Sequence, residues 1–189
     1  KNKNIAVGIS GGVDSSVAAL LLKQQGFKVF GILMQNWEDP EQNPYCQAEK
    51  DLTDARIICD QIGIELHTIN FSKQYWDNVF EHCLNEFNQG RTPNPDVLCN
   101  REIKFSLLMK HAKSLGADFL ATGHYAKILK KNNKNYLERS KDSSKDQTYF
   151  LYMLKEHQLR SSLFPLAELT KSQVRTIAEK HHLISAKKK

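Results

Sequence analysis

Residues 7–16 read Val-Gly-Ile-Ser-Gly-Gly-Val-Asp-Ser-Ser, a set suited to holding phosphate where a strand passes into a helix. Gly11 and Gly12 let the backbone turn sharply and bring its N–H groups close to an anion. Gly8, Ile9, Ser10 and Val13 complete the loop, and Ser15 and Ser16 add hydroxyls where a helix N-terminus already favours negative charge. No lysine follows the glycines, so this is not the Gly-Lys-Ser/Thr loop of P-loop enzymes. Asp14 is the residue expected to bind Mg²⁺ carried on phosphates, since Mg²⁺ takes one or two carboxylates plus phosphate oxygens. A Gly-rich turn that binds nothing is the alternative, but two glycines, an acid and hydroxyls all serve one task at this helix start.

A second set lies at 91–100, Arg-Thr-Pro-Asn-Pro-Asp-Val-Leu-Cys-Asn. Pro93 and Pro95 stiffen the backbone into an extended course. That would hold Asp96 and Cys99 in place, with Asn100 capping the helix that follows. Beside a helix N-terminus, with Arg101 and Lys104 near, the Cys99 thiol is expected to be acidic. Asp96 could serve as a general acid or base. From these residues alone, a reactive Cys99 and a packed, inert one remain equally open.

The elements that must position both sets alternate strand and helix, which argues for an α/β fold with a parallel sheet covered on both faces. Strands are expected at 5–9, 28–34, 65–70 and 118–122, and helices at 13–25, 46–62, 73–88 and 101–115. Within 73–88, Trp76, Val79, Phe80, Cys83 and Phe87 fall on one helical face and read as inward. Residues 124–130 and 134–139 read as a hairpin about Lys131-Asn132-Asn133. The apolar run 149–154 reads as helical, and residues 170–181 as a last amphipathic helix. The expected organisation is a nucleotide-binding domain over 1–158 and a helical segment over 159–189.

With 189 residues and 40% hydrophobic content, the chain can bury a core. It has no apolar run of spanning length, so no membrane association is expected. Four irregularly spaced cysteines suit a reducing cytoplasm better than a disulfide scaffold. The net charge of +6 is unevenly placed: residues 127–145 carry seven Lys/Arg against two acids, and residues 36–60 seven acids against two Lys/Arg. On charge alone the basic stretch reads equally as a polyanion-facing surface or a solvated hairpin tip. Cys46 lies by an acidic helix start and stays outside the expected site. Trp37, Trp76, Tyr149 and Phe150 could stack bases, although aromatic residues at such spacing are more often core.

The Ser-Gly-Gly-x-Asp-Ser signature resembles that of the PP-loop ATP pyrophosphatases, which implies a Rossmann-like parallel sheet and cleavage of ATP between its α and β phosphates. With Met34-x-Asn36-Trp37, Asn94-Pro95-Asp96-x-x-Cys99-Asn100, Ala121-Thr122-Gly123-His124-Tyr125 and Lys145-Asp146-Gln147 in one order, the chain is similar throughout its length to the bacterial tRNA-specific 2-thiouridylases. That resemblance implies ATP held by Gly8 to Ser15 and by backbone at Met34 and Gly123. It also implies a pocket for the flipped uridine at Asn94, Pro95 and Asp96, and Cys99 as nucleophile. His124, Lys145, Asp146 and Gln147 would contact tRNA, although His124 alone reads first as a hydrogen-bonding core histidine and 145–147 as a solvated turn. The implied partners are the tRNA anticodon loop and a persulphide-donating sulphur carrier or cysteine desulphurase. A disulfide bond is implied with a second, persulphide-bearing cysteine. In the family that cysteine lies a little beyond an Ala-Lys-Lys-Lys stretch such as 186–189, so the chain is expected to be an N-terminal portion without it. Two other readings stay open: a PP-loop enzyme acting on a small molecule, and a nucleotide-dependent binding module without chemistry.

Overall fold

The computed structural model describes residues 3–36 and 47–188. Trp37, Cys46 and the acidic residues Glu38, Asp39 and Glu41 lie outside the described residues. Five parallel strands form the sheet: β1 Asn4–Ile9, β2 Lys28–Gln35, β3 Glu65–Asn70, β4 Phe119–Ala121 and β7 Ser162–Leu163, in the order β3-β2-β1-β4-β7. β5 Ala126–Lys131 and β6 Lys134–Arg139 form a separate antiparallel hairpin. Its turn residues Asn132 and Asn133 have φ of 51° and 57°, the left-handed pair that a two-residue hairpin turn needs.

β1 lies at the centre, with Val7 paired to Gly31 of β2 and to Ala121 of β4. Its side chains alternate between two cores, as a strand's period of two requires. Ile5, Val7 and Ile9 pack with α1 Val13–Gln24, α2 Gln47–Ile62 and α8 Lys171–Lys180. Ala6 faces the opposite core, which contains residues of α4 Glu81–Asn88, α5 Pro95–Leu98, α6 Met109–Ser114 and α7 Glu156–Arg160. β1 is therefore apolar on both faces, the pattern of a buried parallel strand. The order also places β2 and β4 on either side of β1, so the chain leaves β1 at a crevice where ligands collect in such sheets.

Several sequence expectations are corrected. The helix expected over 73–88 is three pieces, α3 Ser72–Tyr75, a π-helix Trp76–Phe80 and α4. The i→i+5 bonding of a π-turn shifts the phase of all that follows. Val79 and Cys83 are buried, whereas Trp76 and Phe87 are 49% and 57% exposed. The helix expected from 101 starts at α5, and a π-helix over Cys99–Leu108 joins it to α6. The run 149–154 holds only a 3-10 turn, Thr148–Phe150, followed by further turns. There the Asn100 side-chain N–H donates to the Phe150 carbonyl at 3.0 Å, a partner from elsewhere in the chain. β7 was not expected at all. It pairs with β4, and α8 packs into the α1 core, so the segment after 158 is built into the sheet and its core.

Candidate active site

The phosphate loop forms where β1 ends under α1. Gly11 adopts φ of 71°, a conformation that favours glycine. Gly12 is the N-cap, and its carbonyl accepts the Ser16 hydroxyl at 2.7 Å and the Ser15 hydroxyl at 3.2 Å. Ser15 Oγ also accepts the Ser10 N–H at 3.2 Å. Both expected phosphate-donor hydroxyls therefore shape the loop from within, and Ser16 is fully buried. Lys188 donates to the Gly11 carbonyl at 2.9 Å and pairs with Asp54 of α2, tying the C-terminal segment to the loop.

Asp14 in the first turn of α1 meets Lys171, the first residue of α8. The ammonium lies 2.6 and 2.7 Å from its two oxygens, and Tyr125 donates its hydroxyl to Oδ1 at 2.9 Å. Burial and the Asp14 charge keep that phenol protonated. Thr170 caps α8 through a reciprocal bond pair with Gln173, and Asp142 accepts the Lys171 N–H at 2.8 Å. The expected Mg²⁺ ligand is thus already neutralised by an ammonium. Among the described residues no group of three His, Cys, Asp or Glu could hold a metal. Both Asp14 oxygens are engaged by the Lys171 ammonium in this structure.

A cleft of about 650 Å³ opens over the loop, lined by Gly8, Ile9, Ser10, Asp14 and Ser15 on one side and by Met34, Gly123, His124 and Gln147 around it. Its size suits a nucleotide-sized ligand. The structure thus brings Met34 and Gly123 to the loop, 20 and 109 residues beyond Asp14 in sequence. His124 bonds Thr122 Oγ1 through Nδ1 at 2.8 Å and packs by Phe105 and Phe164. Burial, with Lys104 adding to it, lowers its pKa to about 3. The unfolded chain protonates this ring below about pH 6.5, whereas the folded chain refuses the proton until about pH 3. Stability is therefore expected to fall through that window at up to about 1.4 kcal/mol per pH unit. Acid denaturation of His124→Gln should show a shallower slope there, and an unchanged slope would refute the neutral ring.

The Cys99 set is built differently from its sequence expectation. Asn94, not Asn100, is the cap: its Oδ1 accepts the N–H groups of Asp96 and Val97 at 3.1 and 3.3 Å, with Pro95 first in the helix. Pro suits that position because its missing N–H is not needed there. Cys99 therefore lies a full turn inside the helix, 7% exposed, and burial raises its thiol pKa against the opposing effect of Lys104. The expected acidic thiol is not what this structure shows. Asp96 is exposed and near enough to act on both Cys99 and Tyr75. Asn94, Pro95, Asp96 and Cys99 do not line this cleft; Lys104 and Leu108 of the same helix do. Cys59, Cys83 and Cys99 are free thiols.

A sequence profile of the tRNA methyl transferase HUP domain matches residues 3–189. The chain belongs to this family. It is 59% identical over all 189 residues to "tRNA-specific 2-thiouridylase MnmA" of Coxiella burnetii (strain Dugway 5J108-111), covering 52% of that protein. It is 56% identical over 188 residues to the protein of the same name from Proteus mirabilis, covering 99% of this chain and 51% of that one. The chain thus spans about half the length of the curated relatives it matches. Among solved structures, a 4-thiouridine synthetase in an RNA complex with bound ATP superposes with a TM-score of 0.59 at 14% identity, over 97% of this chain and 42% of that one. At that identity the likeness establishes the fold alone.

Of the residues expected to face RNA, only Lys145 is exposed without a described side-chain partner. Asp146 accepts the Ser140 N–H and the Thr148 hydroxyl, and Gln147 exchanges bonds with the Tyr125 backbone. These two fix a turn beside the cleft. In the hairpin, Lys127 pairs with Glu138 and Glu168, while Lys130, Lys131 and Lys134 are exposed. Sequence reasoning missed Lys171, Tyr125 and Lys188 as parts of the loop. Thr170-x-x-Gln173 is a legible capping box that fixes where α8 starts, but nothing local says which distant acid Lys171 meets. Among the described residues no helix is long and apolar enough to cross a membrane.

Proposed function

We propose that this chain is the nucleotide-binding and base-activating portion of a tRNA 2-thiouridylase acting in the cytoplasm. The observation that carries this reading is the 59% identity, sustained over every residue, to a protein named for that activity. The cleft over the phosphate loop supports it independently.

In this reading ATP lies over the first turn of α1, with its phosphates on Gly8 to Ser15 and its nucleoside against the backbone of Met34 and Gly123. The wobble uridine leaves its stack in the anticodon loop and enters beside Asn94, Pro95 and Asp96. Its carbon-2 oxygen attacks the α-phosphorus as the bond to the β-phosphate oxygen breaks, giving an adenylated base and pyrophosphate. A persulphide on a second cysteine, loaded by a sulphur carrier or cysteine desulphurase, then forms the C–S bond as AMP leaves. The Cys99 thiolate takes the inner persulphide sulphur into a disulfide, the outer sulphur stays on the base, and a thiol reductant reopens the disulfide. His124 stays neutral and positions the tRNA, together with Lys145, Asp146 and Gln147, by hydrogen bonding.

Two measurements test this. Wobble 2-thiouridine should vanish, by mass spectrometry, from tRNA of cells lacking the gene, and the full-length protein should release pyrophosphate from ATP only with unmodified tRNA. Unchanged thiouridine would refute the reading. The hairpin adds a separate expectation. Reversing Lys130, Lys131 and Lys134 to Glu removes three exposed cations that could neutralise phosphates. tRNA affinity should drop about tenfold or more at low salt, with a flatter salt dependence, because released counterions set that slope. Equal binding across a salt titration would make the hairpin a solvated tip.

A further inference from the structure

Lys104 is the cationic side chain that lines the nucleotide cleft among the described residues, where the other charged groups are Asp14 and Asp51. Its ammonium makes no ion pair or hydrogen bond with any described residue, whereas Lys127, Lys171 and Lys188 each hold a carboxylate. The π-helix over Cys99–Leu108 explains how it relates to Cys99. In an α-helix, residues five apart point about 140° away from each other. The i→i+5 closure of a π-helix instead stacks residue 104 one turn above residue 99, on the same side. π-turns of this sort recur at functional sites.

We propose that Lys104 is the cation that receives the nucleotide's phosphate charge, and that the same ammonium serves Cys99 when no phosphate is bound. The inference rests on the nucleotide-binding reading above. A polyanion entering this cleft needs a positive partner, and the Lys171 ammonium is already taken up by Asp14. Cys99 has Asp96 near it on its own helix and Tyr75 near it from α3, and Lys104 is the group that opposes the rise in its pKa. While phosphate holds the ammonium, the thiol loses that support and stays protonated. Departure of pyrophosphate returns the ammonium to Cys99 and readies the thiolate for the sulphur step. One lysine thus orders adenylation before sulphur transfer.

The test compares Lys104→Gln and Lys104→Arg with the parent full-length protein, using a non-hydrolysable ATP analogue and adenosine as probes. Lys104 is partly exposed at the cleft, and glutamine keeps a polar end there, with thermal melting as the check on folding. Lys104→Gln is expected to bind the analogue at least tenfold more weakly and adenosine equally well, with Lys104→Arg restoring most of the difference. In the parent, iodoacetamide should label Cys99, located by peptide mass spectrometry, several-fold more slowly with the analogue than with adenosine. In Lys104→Gln labelling should be slow with either. If the parent binds the analogue and Lys104→Gln binds it equally, the inference falls and the nucleotide site stands. If the parent binds neither probe, both fall.

Discussion

Replacing Cys99 with serine in the full-length protein is expected to lower thiolated tRNA more than about a hundredfold while ATP binding survives, because sulphur chemistry is lost and the fold is kept. The hydroxyl is nearly isosteric but does not ionise at neutral pH, so no other group can take up the persulphide sulphur. Cys99 stands a turn inside its helix and outside the nucleotide cleft, which is why nucleotide affinity should not follow activity. Cys59 and Cys83 supply the contrast. Cys59 is 1% exposed in the α1–α2 core with its pKa pushed up to about 11, the behaviour of a small packed hydrophobe. Serine at either position should cost about 1–3 kcal/mol, through a buried hydroxyl lacking a partner, and leave thiolation per folded molecule intact. Mass spectrometry of tRNA beside thermal melts of the three variants checks the ranking, and an active Cys99→Ser would overturn the assignment.

How much of this was legible depends on the range of the interaction. The alternation of Ile5, Val7 and Ile9 and the glycines that follow are local, and β1, the loop and α1 form where the pattern puts them. Asn94-Pro95 is also a local helix-start signal, and weighing it above Asn100 would have placed Cys99 inside the helix. The two π-turns left no such signature. Trp76 and Phe87 keep a 3.6-residue spacing with Val79 and Cys83, but the extra residue in the turn rotates them to the surface. β7 is two residues long and exists because β4 offers an edge to pair with, so no strand period could reveal it. Lys171 reaches Asp14 from 157 residues away, and only the packing of α8 on α1 makes that contact.

Gly123→Ala is expected to damage both the fold and the nucleotide site, since a Cβ at this position would lie 2.7 Å from the Ser15 backbone nitrogen and 2.8 Å from the Asp14 carbonyl carbon. Those atoms belong to the first turn of α1, not to a side chain that could swing away. The turn would have to move off the end of β4, and the Gly12 N-cap and the Asp14–Lys171 pair would move with it. Overpacking of this kind costs about 1–3 kcal/mol in well-packed sites, and backbone resistance puts this one at the upper end. Gly8→Ala is the control from the same cleft, because its added Cβ meets only ordinary contacts at 3.8–3.9 Å. Its stability should stay within about 0.5 kcal/mol of the parent. Calorimetric binding of ATP should weaken at least tenfold for Gly123→Ala, because displacing α1 takes the loop's N–H groups off the phosphates. Should Gly123→Ala melt with the parent and bind ATP equally, the close approach of β4 to α1 does not position the loop, and the role of Gly123 reduces to its own backbone contact with nucleotide.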